Sequence, residues 1–188
     1  MRGFSAHERR SYAMNEPENY ICLFCESGFE ETVCRTIAFC DYGLALFPKQ
    51  LKPVHRKSGW RDELRPLLPG YVFMRGDLTA DQLRTLNHVK YPLRYSDGST
   101  SLVGNDLTLA EMTFRSEGVI PKLQAVQEGS FVRVTDPLLK DLECRVLRVE
   151  KRKRLAQVEL STLGSIRQLW LGLDLLEPLS ESIDETGQ

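Results

Sequence analysis

The chain lacks the features that a membrane span, a metal centre or a hydrolytic site would require. Its apolar runs, such as Tyr71-Val-Phe-Met74 and Leu44-Ala-Leu-Phe47, are only a few residues long, far short of the ~20 apolar residues that cross a bilayer as a helix. No membrane partner is expected. Histidine is scarce: His7, His55 and His88 are the only three, and none has a nucleophile or carboxylate at catalytic spacing. No Gly-rich phosphate loop and no metal-ligand cluster is legible. Neither an enzyme nor a cofactor is expected. The chain also lacks an excess of either charge, with 25 Lys+Arg against 26 Asp+Glu. A protein that coats nucleic acid with its whole surface carries a large cationic excess, because its affinity comes from counterion release. Any nucleic-acid contact here must be local.

A secretory signal is missing too. Residues 1–19, MRGFSAHERRSYAMNEPEN, contain arginines but no continuous apolar segment, and read as a polar leader with Met14 as an alternative start. The five cysteines, Cys22, Cys25, Cys34, Cys40 and Cys144, are an odd number with no export signal, which points to a reducing, cytoplasmic setting. Cys22-x-x-Cys25 sits inside Tyr20-Ile-Cys-Leu-Phe-Cys25, a run of strand character. Strand positions three apart point to opposite faces, and no second Cys-x-x-Cys follows at zinc spacing. These thiols are therefore expected as small buried hydrophobes. A thiol or metal enzyme built on them is the competing class.

What the chain does have is 188 residues, 41% hydrophobic and 27% charged, enough for one globular domain or two small ones. From residue 20 to 118 strand and helix signals alternate. Ser27 and Glu30 form a capping-box pattern, followed by the apolar stripe Phe29, Val33, Ile37 and Cys40, with Gly43 as the stop. Leu44 to Val54 reads as a strand weakened by Pro48 and Pro53, and Gly70 to Arg75 as the clearest strand. Thr79-x-x-Gln82 and Thr108-x-x-Glu111 open two further helices, with a strand at Leu93 to Tyr95 and a turn at Asp97-Gly98 between them. The order fits a split βαβ plan, an α+β fold with helices on one face of an antiparallel sheet. Residues 119–128 read as a linker. Residues 129–179 carry short strand signals without a helix, as in a small SH3-like β-barrel, with turns at Asp136-Pro137, Lys151 to Arg154 and Leu163-Gly164. Residues 180–188 read as a polar, acidic tail that frays.

One stretch is locally basic. Lys49, Lys52, Arg56, Lys57, Arg61 and Arg65 face only Asp62 and Glu63, with His55 and Trp60 among them. Cations beside an indole suit phosphate contact and base stacking. Lys151-Arg-Lys-Arg154 is a second cationic site, at a turn of the barrel.

Three segments together carry a family resemblance. Ser27-Gly-Phe-Glu30 after the first strand, then Pro66-Leu-Leu-Pro-Gly-Tyr-Val-Phe73, then Glu128-Gly-Ser-Phe-Val-Arg-Val134 at the opening of the barrel, resemble the NusG family of transcription elongation factors. The resemblance covers residues 20–178. It implies an amino-terminal NGN domain over 20–118 that binds the clamp helices of the largest RNA polymerase subunit, followed by a KOW barrel domain. The docking surface maps onto Phe24, Leu67, Leu68, Pro69 and Tyr71. Tyr71 and Phe73 point to one sheet face and Val72 and Met74 to the other, so both faces are apolar; with helices on one, the other needs a partner or the second domain. A gate-loop contact maps onto Gln82, Leu83, Arg84 and Thr85.

Two departures point away from a housekeeping role. The barrel motif's usual glycine corresponds to Cys144, and the aromatic with which housekeeping members grip ribosomal and termination partners corresponds to Leu163. The resemblance is therefore closest to specialised antiterminators of the RfaH and LoaP kind. The expectation is a monomer that rides RNA polymerase and suppresses pausing and termination, recruited by a nascent or leader RNA bound between Lys49 and Arg65. A housekeeping elongation or termination cofactor and a ribosome-associated RNA-binding module are the alternatives.

Overall fold

Two strands that are apolar on both faces set the centre of the fold. β1 (Tyr20–Cys25) and β5 (Tyr71–Arg75) pair antiparallel with Tyr20 opposite Arg75 and Phe24 opposite Tyr71. The structure is a computed structural model and describes residues 19–128 and 131–176. The leader before residue 19, Gly129-Ser130 and the tail after 176 lie outside the described residues. β2 (Leu44–Leu46) and β6 (Val89–Pro92) complete a four-stranded antiparallel sheet in the order β2-β5-β1-β6. Because side chains alternate along a strand, Ile21, Leu23, Cys25, Val72 and Met74 enter one core with Val33 and Ile37 of helix α1 (Glu30–Phe39). Tyr20, Cys22 and Phe73 enter a second core on the opposite face.

That second face carries a helix of its own. α3 (Gly104–Arg115) contributes Leu109 and Ala110 to this core, and its Phe114 ring lies 5.3 Å from Tyr20. Helices therefore flank both faces of the sheet, correcting the expectation of a one-sided layer. The short helix α2 (Ala80–Thr85) starts as expected, with a complete capping box between Thr79 and Gln82. The other two caps differ. α1 follows an N-cap at Phe29 without a side-chain cap, because Glu30 is turned inward. α3 begins a turn before Thr108, whose hydroxyl donates back to the carbonyl of Gly104.

The segment read as one weak strand is two. After β2 the chain enters β3 (Lys49–Arg56), which turns through Lys57-Ser58 into β4 (Gly59–Pro66). The pair closing a two-residue turn is hydrogen-bonded, and bonded and non-bonded pairs then alternate. Pro53, opposite Asp62, falls at a non-bonded position where its missing N–H costs no ladder bond. β7 (Val119–Ile120) adds to β3 in parallel, giving the order β4-β3-β7.

The stretch read as a linker holds β7 and β8 (Leu123–Glu128). β8 pairs parallel with β12 (Ser165–Leu176) and antiparallel with β9 (Phe131–Val134). With β10 (Arg145–Glu150) and β11 (Leu155–Thr162) they form a five-stranded, barrel-like sheet in the order β10-β11-β12-β8-β9. This half also carries the one-turn helix α4 (Leu138–Asp141), where no helix was expected. Asp136 nucleates it by accepting from the N–H of Leu138. Glu143, just before Cys144, takes φ 46°, so the strained turn falls one residue before the position where a glycine was missed.

The halves do not stand apart. Leu142, Val158, Leu160 and Leu171 of the barrel share a continuous core with Phe73, Leu109 and Ile120. β12 also runs close along β3: a Cβ on Gly172 would come within 2.4 Å of the Leu51 carbonyl and 2.8 Å of Pro53 Cδ. Only a residue without a side chain allows this approach.

Candidate functional site

The expected docking surface starts as a cross-strand aromatic row. Phe24 stands opposite Tyr71 on β5 and Tyr91 on β6, and both of those rings lie 5.1 Å from it. Lys90 Nζ sits 5.2 Å above the Phe24 ring. The row leads into the loop 67–70, which Glu30 builds. Buried at 4% exposure, its carboxylate accepts from the backbone N–H of Gly28 at 2.8 Å and of Gly70 at 2.7 Å. Gly70 itself adopts φ 85° with the Cys25 carbonyl 3.2 Å from where a Cβ would stand. The Pro69-Gly70-Tyr71 sequence and the Glu30 of the helix start are thus one structural unit.

The structure divides the five expected docking residues. Pro69 is exposed, and Phe24 and Tyr71 are half-buried. Leu67 and Leu68 are buried, at 6% and 2% exposure, in the core shared with the barrel. The barrel occupies the face expected to need a partner. Arg167 of β12 holds the boundary: its guanidinium lies 4.9 Å over the Tyr71 ring and donates to the Tyr71 hydroxyl at 2.7 Å.

A second contact closes the same interface, through a residue that the sequence did not single out. Asp106, in the first turn of α3 and buried, accepts from the Thr162 hydroxyl at 2.7 Å, the Leu163 N–H at 2.6 Å and the Tyr95 hydroxyl at 2.7 Å. The tight turn between β11 and β12, with positive φ at Leu163 and Gly164, is thereby fastened to the amino-terminal half. Leu163 is buried there. A lone aspartate in a polar helix start carries no sequence signal of this role.

On α2, Gln82 is engaged in the capping box, Thr85 lies 3.0 Å from the Tyr42 hydroxyl, and Leu83 lies against the core. Arg84 points outward, paired with the exposed Asp81.

The expected RNA patch becomes the β3–β4 hairpin, and the hairpin sorts it by face. Cross-strand partners share a face. Val54 pairs with Arg61, Lys52 with Glu63, Gln50 with Arg65 and Arg56 with Gly59, so Lys52, Arg56, Arg61 and Arg65 lie on one face. There Glu63 accepts from Arg56 at 2.7 Å, Arg61 at 2.8 Å and Arg65 at 2.6 Å. Hydrogen bonds from Arg56, Arg61 and Arg65 hold its carboxyl down to about 2. One carboxylate thus arrays three guanidinium groups that neutralise only it. Lys57 is exposed at the turn, and Lys49, at the far end, lies 4.7 Å over the Phe47 ring.

His55 and Trp60 pair on the opposite face, their rings 5.1 Å apart and edge-on. That face looks toward the barrel. Arg154 extends its guanidinium to 4.9 Å over the Trp60 ring, and Lys122 bonds Asp62 at 2.9 Å. The two cationic stretches of the sequence meet here.

Four of the five thiols sit where burial disfavours the thiolate. Cys22 and Cys25 lie in the two different cores. Burial pushes the thiol of Cys22 far up, that of Cys25 to about 11 and that of Cys34 to about 12, and raises that of Cys144. Protonated thiols are poor nucleophiles and poor ligands. Among the described residues no group of three or more His, Cys, Asp or Glu is placed to hold a metal ion. Among them, too, no helix is long and apolar enough to cross a membrane.

Residues 18–117 match the family model described as NusG, transcription termination factor. Among solved structures, one titled "Domain interaction in Thermotoga maritima NusG" is similar at 16% identity and a TM-score of 0.46, covering 83% of this chain and 94% of that one. No curated protein matches.

Proposed function

We propose, since this chain belongs to the NusG family of non-enzymatic transcription factors, that its particular task is processive antitermination. Members of the family generally bind RNA polymerase. For this chain the docking surface we propose is Phe24, Leu67, Leu68, Pro69 and Tyr71, set against the clamp helices of the largest subunit. The observation that carries the reading is the apolar strip from the Phe24–Tyr71–Tyr91 row into buried Leu67 and Leu68. A large apolar patch beside a polar rim is the usual form of a protein interface. Its inner half lies under the barrel, so full engagement requires the barrel to move aside.

The turn at Leu163 favours antitermination over a housekeeping role. It presents a buried leucine, fastened by Asp106, where the resemblance calls for an exposed ring that grips other partners. The arginine face around Glu63 is the proposed contact for a leader or nascent RNA, since a guanidinium group can bond a phosphate through two parallel N–H donors. The factor works as a monomer in the cytoplasm. Transcription in vitro through an intrinsic terminator tests this. Added protein should raise read-through, and Tyr71→Ala should abolish the gain. Increased pausing or termination would instead mark a housekeeping cofactor, and no effect together with ribosome binding would mark a ribosomal RNA module.

A further inference from the structure

A groove of about 500 Å3 opens between the hairpin and the barrel, lined by Pro53, His55, Trp60, Arg152, Lys153 and Leu155 among others. Its volume lies within the ~300–1,000 Å3 of small-ligand clefts, which is room for a nucleotide. Its walls come from both halves of the chain, and each brings a different chemistry. The hairpin supplies flat rings: Trp60, 39% exposed although it is a large apolar residue, and His55 set edge-on to it. The barrel supplies charge from the turn (Lys151–Lys153) between β10 and β11. Arg154 ends that turn in a left-handed conformation, φ 54°, and lies over Trp60.

The charge balance in the groove favours an anion. Lys153 is paired with Glu150 at 2.7 Å, and Asp62, the acid beside the rings, is paired with Lys122. Arg152 and Lys151 are exposed, and neither has an ion pair among the described residues. A groove with an aromatic wall, an arginine already stacked and the unpaired Arg152 in its lining has the composition that holds unpaired bases by stacking and their phosphates by charge. An acidic peptide would use the cations but leave the rings without a role.

We propose that this groove binds a single-stranded RNA segment, one base against the Trp60–Arg154 layer and the adjoining phosphate on Arg152. The inference rests on the RNA reading above and deepens it. The arginine face around Glu63 lies on the other side of the hairpin, so the RNA would grip the hairpin from both faces. Because the groove exists only where barrel and hairpin meet, RNA bound in it favours the docked arrangement.

The full chain carrying Trp170→Phe leaves Trp60 as its sole indole and reports on the groove directly. Fluorescein-labelled single-stranded oligoribonucleotides of mixed sequence would be titrated by anisotropy, and unlabelled ones by Trp60 emission. Saturable quenching of Trp60 is expected at the concentration where anisotropy rises. Arg152→Ala, on the barrel, should shift both midpoints about tenfold and reduce the salt slope by about one. Trp60→Ala should weaken binding by about tenfold, with Trp60→Phe retaining most of it. If RNA binds but Trp60 emission is unchanged, or Arg152→Ala has no effect, the composite groove is wrong and the arginine face alone carries RNA. If no RNA binds the wild-type chain, the RNA reading fails as a whole.

Discussion

Glu30 shows how a single buried side chain can account for a sequence signature. Its carboxylate satisfies two backbone N–H groups in the loops that flank the proposed docking strip, and at buried Gly70 no water can replace it. Glu30→Ala is expected to lower stability by about 1–3 kcal/mol, the cost of orphaned donors, and to loosen residues 67–70, seen as a lower Tm and faster amide exchange at Gly70. Glu63 acts in the opposite sense. Its pKa falls from an ordinary 4.5 to about 2 in the folded state. Its contribution to stability is therefore fully present above 4.5 and is lost as pH falls toward 2. Carboxyl chemical shifts followed through that window check this directly. At neutral pH Glu63→Gln releases three guanidinium groups, so RNA affinity should rise and the salt slope steepen by about one; unchanged affinity would remove that face from the RNA contact. The thiols give a simpler test. Iodoacetamide should leave Cys22 and Cys25 unlabelled in the folded chain and label both once it is unfolded.

Elements decide how far the barrel can approach the rest of the molecule. At Gly172 β12 passes within a side chain's reach of Leu51 and Pro53 on β3. Gly172→Ala should force the strands apart, at a cost of about 1–3 kcal/mol typical of overpacking, and an otherwise folded barrel should become separately mobile, visible as distinct NMR relaxation of the two halves. Strands buried on both faces, β1 and β5, were legible because every position but Arg75 is apolar, and the Thr79 cap because its partner is three residues away. The β3–β4 hairpin was not. Its turn is Lys57-Ser58 rather than the Asn-Gly type, and Pro53 argues against a strand until the pairing places it at a non-bonded site. β7 was not legible because its pairing with β3 is parallel and distant in sequence, which no local pattern records; β8 is held in the same way against β12, although its hairpin with β9 is local. The five proposed docking residues were legible as apolar, but the burial of Leu67 and Leu68 in the core shared with the barrel was not, since the polar residues that fasten that boundary, Asp106 and Arg167, have no motif around them.

The whole molecule is a closed assembly in which the barrel covers the inner half of the proposed polymerase-docking strip. Two polar contacts, Asp106 with the 162–163 turn and Arg167 with Tyr71, fasten it alongside a shared apolar core. If polymerase takes Leu67 and Leu68, it competes with the barrel for them, and its apparent affinity is reduced by the fraction of molecules that are closed. Removing a fastening should therefore weaken folding and strengthen docking at the same time, a combination that simple damage to the fold does not produce. The decisive measurement is the affinity of core RNA polymerase for the wild-type chain beside Asp106→Ala, with both checked for native β-sheet content. Tighter binding by Asp106→Ala, despite a lower Tm, is the expected result. Equal or weaker binding by a folded Asp106→Ala would contradict a docking strip closed by the barrel, and an absence of binding by both would contradict the polymerase-bound function itself.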